Sequence, residues 1–150
     1  VAFAVLLMNL CVPLIDLYRE TAREAGHEEG DRIVSINSQT YIADSSKKAA
    51  DEFYPGYAAV MTRIGRERGW GPMNREQFEM LRSPHGSLLV GSAEEVIDKI
   101  LYEHELFHHD RFLAQLSVGT LPHKQIMHAI ELLGTKVAPA VKKELSSKKK

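Results

Sequence analysis

The sequence predicts an α/β chain built on a parallel sheet. Three observations carry this. Apolar or β-branched runs alternate with segments of helical period, which is the signature of βαβ units. The opening run, Val1 to Leu14, is apolar on every position except Asn9 and Pro13, as a strand buried on both faces requires. Finally, 44% apolar residues and a formal charge of -1 over 150 residues describe a chain able to bury roughly 68–70% of its unfolded surface, not a disordered one.

Taken in order, the first element is a strand over about Ala2–Leu7, and a chain that opens inside such a strand reads as truncated. The run is too short for a membrane span of about 20 residues and has neither the basic n-region nor the small-residue cleavage site of a signal peptide. After Pro13, Leu14, Leu17, Tyr18, Ala22 and Ala25 recur at helical spacing. Pro13 fits the first turn of this helix and Gly26 its stop. Ile33–Ala43 is rich in β-branched residues and reads as a second strand. Asp44, Ser45 and Ser46 offer N-caps to a helix starting near Lys47. Phe53, Tyr57, Val60, Met61 and Ile64 give that helix its apolar stripe, and Pro55-Gly56 is expected to break or kink it.

From Gly65 to Gly86 the pattern loosens around a short helical piece at Arg75–Arg82. The whole excursion, about 47–86, reads as an insertion. Ser87–Val90 is a short apolar segment. Ser92 and Glu95 form a capping box and open a helix carrying Val96, Ile97, Ile100, Leu101 and Phe107. Arg111–Val118 is a further strand, closed by Gly119. Leu121-Pro122-His123 leads into a last helix, which Gly134 loosens before Val137–Leu145. Three principal strands are few for a free-standing sheet, but they suit the last segment of an eight-stranded barrel.

Charge and cysteine content exclude several classes. Residues 142–150 hold five Lys and one Glu, so residues 1–141 carry 14 positive and 19 negative charges, net -5. An acidic body of this kind has no nucleic-acid footprint. The basic end, 146–150, reads as a solvated tail and not as a membrane anchor. A lone Cys11 forms no disulfide within the chain and suits a cytoplasmic setting.

Single motifs are weak. His104-Glu105-Leu106-Phe107-His108 matches the H-E-x-x-H pattern of zinc hydrolases. Such a helix should run on past the second His, yet His109-Asp110-Arg111 reads as a stop. The plain alternative is polar residues at a helix end, where His suits the dipole; no metal site is expected. The helix start at Gly91-Ser92-Ala93 could receive an anion, but the capping box already uses it. Asn37, Ser38, Gln39 and Tyr41 cluster near the end of the second strand, and Gln115 interrupts a later apolar one. Ligands bind at such strand ends in parallel α/β folds. No Gly-rich phosphate loop, no G-x-S-x-G and no activated cysteine setting occurs, so no catalytic residue is assigned.

The order of segments says more. Leu14 to His27 (Leu-Ile-Asp-Leu-Tyr-Arg-Glu-Thr-Ala-Arg-Glu-Ala-Gly-His), Arg68-Gly69-Trp70, Leu89 to Val96, Asp110-Arg111-Phe112 with Gln115, Gly119 to His123 and Ala129 to Pro139 together resemble the bacterial luciferase-like, flavin-dependent monooxygenases. The resemblance runs from about Leu14 to Leu145 and covers only the C-terminal part of that family's (β/α)8, or TIM, barrel, which needs about 250 residues. It implies the last three strand–helix units, with residues 1–150 as the C-terminal portion of a barrel. It further implies a parent enzyme that oxygenates a small organic substrate with O2 and reduced flavin. The expected cofactor is FMN supplied by a flavin reductase, with deazaflavin used by some relatives. Asn37, Ser38, Gln39, Tyr41, Gln115 and His123 are the expected flavin- or substrate-lining residues. Two departures accompany the resemblance. Gln39 stands where relatives carry a His, and Met8 to Cys11 replace a Gly-Gly pair useful for flavin phosphate. Two non-family readings complete the set: the zinc hydrolase above, and a non-catalytic fragment that self-associates through exposed sheet edges.

Overall fold

A computed structural model describes residues 2–148, with side chains from 11 to 147. It runs α1 (Ala2–Glu24), a 3-10 turn (Glu29–Asp31), β1 (Ser35–Ile42), α2 (Ser46–Arg68), α3 (Arg75–Arg82), β2 (Leu89–Gly91), α4 (Ala93–Phe107), β3 (Arg111–Gln115), α5 (His123–Leu132), a π turn (Leu133–Val137) and α6 (Ala138–Lys148).

The N-terminal expectation is overturned. Ala2–Leu7 is not a strand but the first part of α1, and Pro13 lies inside that helix instead of in its first turn; Val1 lies outside the described residues. A continuous apolar run has no period with which to separate strand from helix. Its Ala, Leu and Met residues are strong helix formers. The helix stops at Gly26, whose φ of +84° suits glycine at a helix end. Arg19 ties α1 to the rest of the protein by donating to the carbonyls of Phe107 and His108, both at 2.8 Å.

The three strands are all parallel, in the order β2-β1-β3. β1 gives its first five residues to β3 (Ser35↔Arg111 through Gln39↔Gln115) and its last three to β2 (Thr40↔Leu89 through Ile42↔Gly91). The short apolar segment near Val90 is therefore a strand, although only three residues long. Side chains alternate across the pleat, so β1 feeds two cores. Tyr41 and Ala43 join Phe53, Tyr57 and Phe78 from α2 and α3. Ile42 joins Val96, Ile100, Leu132 and Val137 from the other helices.

Pro55 does not break α2, which is one helix from Ser46 to Arg68. Phe53 and Tyr57 flank it and are both buried in the same aromatic group, so packing holds the two halves against the roughly 3 kcal/mol that an interior proline costs. Ser45 caps α2 by accepting from the Lys48 amide at 3.2 Å. Near Gly134 the expected loosening takes the form of the π turn. α6 continues to Lys148, so 146–148 are helical; Lys149 and Lys150 lie outside the described residues.

Candidate functional site

The pleat sorts the predicted site residues. Asn37, Gln39 and Tyr41 share one face of β1, and Ser38 and Thr40 share the other. In the parallel register Asn37 stands beside Leu113, and Gln39 beside Gln115. This face carries no helix over its first half. Asn37 and Gln115 are exposed, Gln39 is half-buried, and Leu113 is 45% exposed. Three of the six residues, Asn37, Gln39 and Gln115, thus form a row of amides on an open sheet face.

The other three stand apart. Tyr41 lies on the same face but is covered by α2, its hydroxyl donating to Glu52 Oε2 at 2.7 Å; burial first, then Glu52, pushes the phenol's pKa well up. Ser38 is buried on the opposite face. His123 opens α5 and is exposed. Glu52 has no sequence signal of its own, being one of many acids in a charged helix.

The H-E-x-x-H segment is divided by the end of α4. α4 ends at Phe107, and His108 sits beyond it at φ +47°, outside the helical frame. The rings of His104 and His108 lie 6.1 Å apart and perpendicular. Among the described residues no three His, Cys, Asp or Glu side chains gather where they could hold a metal ion. The next residue, His109, turns inward, and burial followed by the neighbouring His104 lowers its pKa.

The capping box at Ser92 forms as expected. Glu95 Oε2 accepts from the Ser92 amide at 2.9 Å, and Ser92 Oγ accepts from the Glu95 amide at 3.4 Å. Glu95 thereby places a carboxylate at the Gly91-Ser92 strand-to-helix turn. The amide row offers donors and acceptors of the kind that a flavin's ring edge, with its alternating carbonyl and N–H groups, would take. The flavin phosphate does not fit the Ser92 turn, where Glu95 would repel it.

A buried lysine and a buried glutamate on α4 have no counterpart among the sequence motifs. Lys99 and Glu103, one turn apart, are each only 7% exposed. Lys99 Nζ donates to the carbonyls of Ser83 (2.8 Å) and Leu88 (2.5 Å), clamping the α3–β2 turn. Glu103 Oε2 is buried with no hydrogen-bond partner among the described residues. Burial lowers the Lys99 pKa to about 8 and raises that of Glu103 to about 7. Between pH 4.5 and 7 the folded protein holds the Glu103 proton more tightly than the unfolded chain does, so stability falls as pH rises through this window. The Lys99 penalty, by contrast, is constant below about pH 8. Glu103→Gln should therefore gain on the unsubstituted protein from about pH 5 to about pH 8, by on the order of 2–3 kcal/mol. Urea midpoints at the two pH values measure this, and a gap that does not widen refutes it.

The sequence pattern of the luciferase-like monooxygenases matches residues 12–110, more than half of the chain. The chain belongs to the luciferase-like monooxygenase family. Among curated relatives of this luciferase-like chain, "Uncharacterized protein y4vJ" of Sinorhizobium fredii is 37% identical over 68 residues, 45% of this chain and 18% of that protein. Two solved structures share the fold. Monooxygenase RslO1 from Streptomyces bottropensis has a TM-score of 0.70 at 18% identity, covering 89% of this chain and 38% of its own. The oxygenating constituent of 3,6-diketocamphane monooxygenase from Pseudomonas putida, a Type II Baeyer-Villiger monooxygenase solved with FMN, has a TM-score of 0.58 at 21% identity. That match covers 83% of this chain and 38% of the relative. The luciferase-like chain thus spans well under half the length of these proteins. No helix among its described residues is long and apolar enough to cross a membrane.

Proposed function

We propose that this chain forms the last three strand–helix units of a luciferase-like (β/α)8 barrel, with about 47–86 as an insertion at its mouth. The complete protein would be a cytoplasmic enzyme that oxygenates a small organic substrate. The observation that carries this reading is the parallel sheet whose one face is open along the first half of β1: Asn37, Gln39, Leu113 and Gln115 project where a closed barrel would have its lumen. Reduced FMN from a reductase would bring two electrons to O2, one oxygen atom entering the substrate and the other leaving as water; a deazaflavin in its place would supply hydride and not activate O2.

This chain's own share is to bind and orient. The amides of Asn37, Gln39 and Gln115 hydrogen-bond the ring edge. Tyr41, held neutral by burial and by its bond to Glu52, and His123 bound the mouth, while Ser38 supports the strand from behind. The phosphate must be held elsewhere, because Glu95 occupies the Ser92 turn. Most of the lumen wall is lacking, so the 150-residue chain is inactive alone and self-associates through the free edge of β3.

One preparation tests both statements. Sedimentation should show dimers or larger species, and FMN fluorescence should remain unquenched at micromolar protein. A stable monomer at high concentration removes the self-association; stoichiometric FMN binding with substrate oxygenation removes the inactivity.

A further inference from the structure

The loop after β3 crosses α2 on a pair of glycines. A Cβ on Gly119, whose φ is +72°, would stand 2.9 Å from the Gly56 backbone. A Cβ on Gly56 would stand 3.4 Å from the Val118 carbonyl oxygen and 3.6 Å from the Thr120 amide nitrogen. Beside this crossing opens a cleft of about 420 Å³ whose lining includes Pro55, Gly56, Val60, Arg63, Gly119 and Thr120. It lies past the carboxyl end of β3, on the side where parallel α/β folds take their ligands.

The cleft is lined by one charged group, Arg63, and by no acid among the described residues. Arg63 makes no ion pair or hydrogen bond with any described residue. Of the other arginines of the α2–α3 unit, Arg75 pairs with Asp51 and Glu79, Arg82 with Glu79, and Arg68 rests on Trp70; Arg66 has no described partner either, but it does not line the cleft. A guanidinium fork left free over an apolar floor matches a carboxylate's two oxygens.

We propose that this cleft binds a small organic carboxylate with an apolar body. Arg63 and the Thr120 hydroxyl hold the carboxylate, while Pro55 and Val60 flank the apolar part. Bare glycines at 56 and 119 let the loop after β3 cross α2 closely enough for both segments to wall one cleft. That the bound acid is the molecule oxygenated rests on the barrel reading above; the binding itself does not.

Benzoate is the probe, titrated at low ionic strength into the 15N-labelled chain and followed by amide NMR without flavin. Saturable shifts are expected at Gly56, Arg63, Gly119 and Thr120, with uncharged benzyl alcohol about tenfold weaker. Arg63→Gln should weaken benzoate by about tenfold or more, the loss expected when a charged hydrogen-bond donor is removed. Thr120→Val should weaken it a few-fold, and Arg66→Gln, outside the cleft, should leave it unchanged. Equal losses in the two arginine variants, or no saturable shift in the unsubstituted chain, would overturn the site. FMN binding is scored separately, so benzoate can bind while the flavin reading fails, and the reverse.

Discussion

Phe53→Ala is expected to cost about 3–5 kcal/mol, the range for deleting a buried phenylalanine. Phe53 is fully buried and central to the aromatic group. Its ring stacks with Tyr41 (centroids 5.5 Å), Tyr57 (5.7 Å) and Phe78 (6.4 Å). It therefore joins β1, α2 and α3 through one side chain, and its removal leaves a hole that three rings cannot close without moving the helices. It also lies two residues before Pro55, so the packing that keeps α2 whole across the proline is lost with it. A domain of this size has only about 5–15 kcal/mol of stability, so the variant should be partly unfolded at 37 °C. Urea denaturation followed by circular dichroism reads this directly. A loss under about 1 kcal/mol would mean that the aromatic group is not the organising core.

Gly86→Ala should be the most damaging glycine substitution outside the strained positions. A Cβ there would overlap the Leu81 carbonyl oxygen and stand 2.5 Å from the Leu81 carbonyl carbon and 2.7 Å from the Met80 oxygen. All three are backbone atoms, which cannot swing aside as a side chain can. Relief requires opening the α3–β2 turn. That opening threatens the Leu88 amide bond to the Leu81 carbonyl (2.9 Å), the Gly86 amide bond to Ser83 (2.8 Å) and the Lys99 clamp on Ser83 and Leu88. The expected loss is about 2–4 kcal/mol, in the upper part of the range for single substitutions. Gly71→Ala is the control, since a Cβ at Gly71 meets nothing within 4 Å; it should change stability by less than about 0.5 kcal/mol. Equal unfolding midpoints for the two variants would show that the turn opens without cost.

Local chemistry makes most of the fold legible in the sequence. β-Branched residues mark β1, Ser45 and Ser92 mark the starts of α2 and α4, and Gly26 marks the end of α1. These are properties of near neighbours along the chain. The opening run hides its helix because uniform apolarity carries no period. Pro55 looks like a break because its local penalty is visible in sequence and the rings packed on either side of it are not. The His104–His108 spacing looks like a zinc motif, but a spacing does not reveal that the helix ends between the two residues.

Six polar residues stand out as site candidates from their place at strand ends, yet their sorting does not. Gln39 and Gln115 are 76 positions apart in the chain and meet only because β1 and β3 pair in parallel in that register. Ser38, next to Gln39 in sequence, faces away because the pleat alternates. Arg63 reads in sequence like any other charged residue on an amphipathic helix. Only the crossing of Gly56 by Gly119 makes a cleft of its surroundings, and Asp51 and Glu79 are engaged by Arg75 and Arg82, not by Arg63. By itself the sequence determined the elements after the opening run, their order and the family to which they point. Tertiary structure decided which faces are covered, which amides align and which charges are buried or free, because those depend on contacts between segments far apart in the chain.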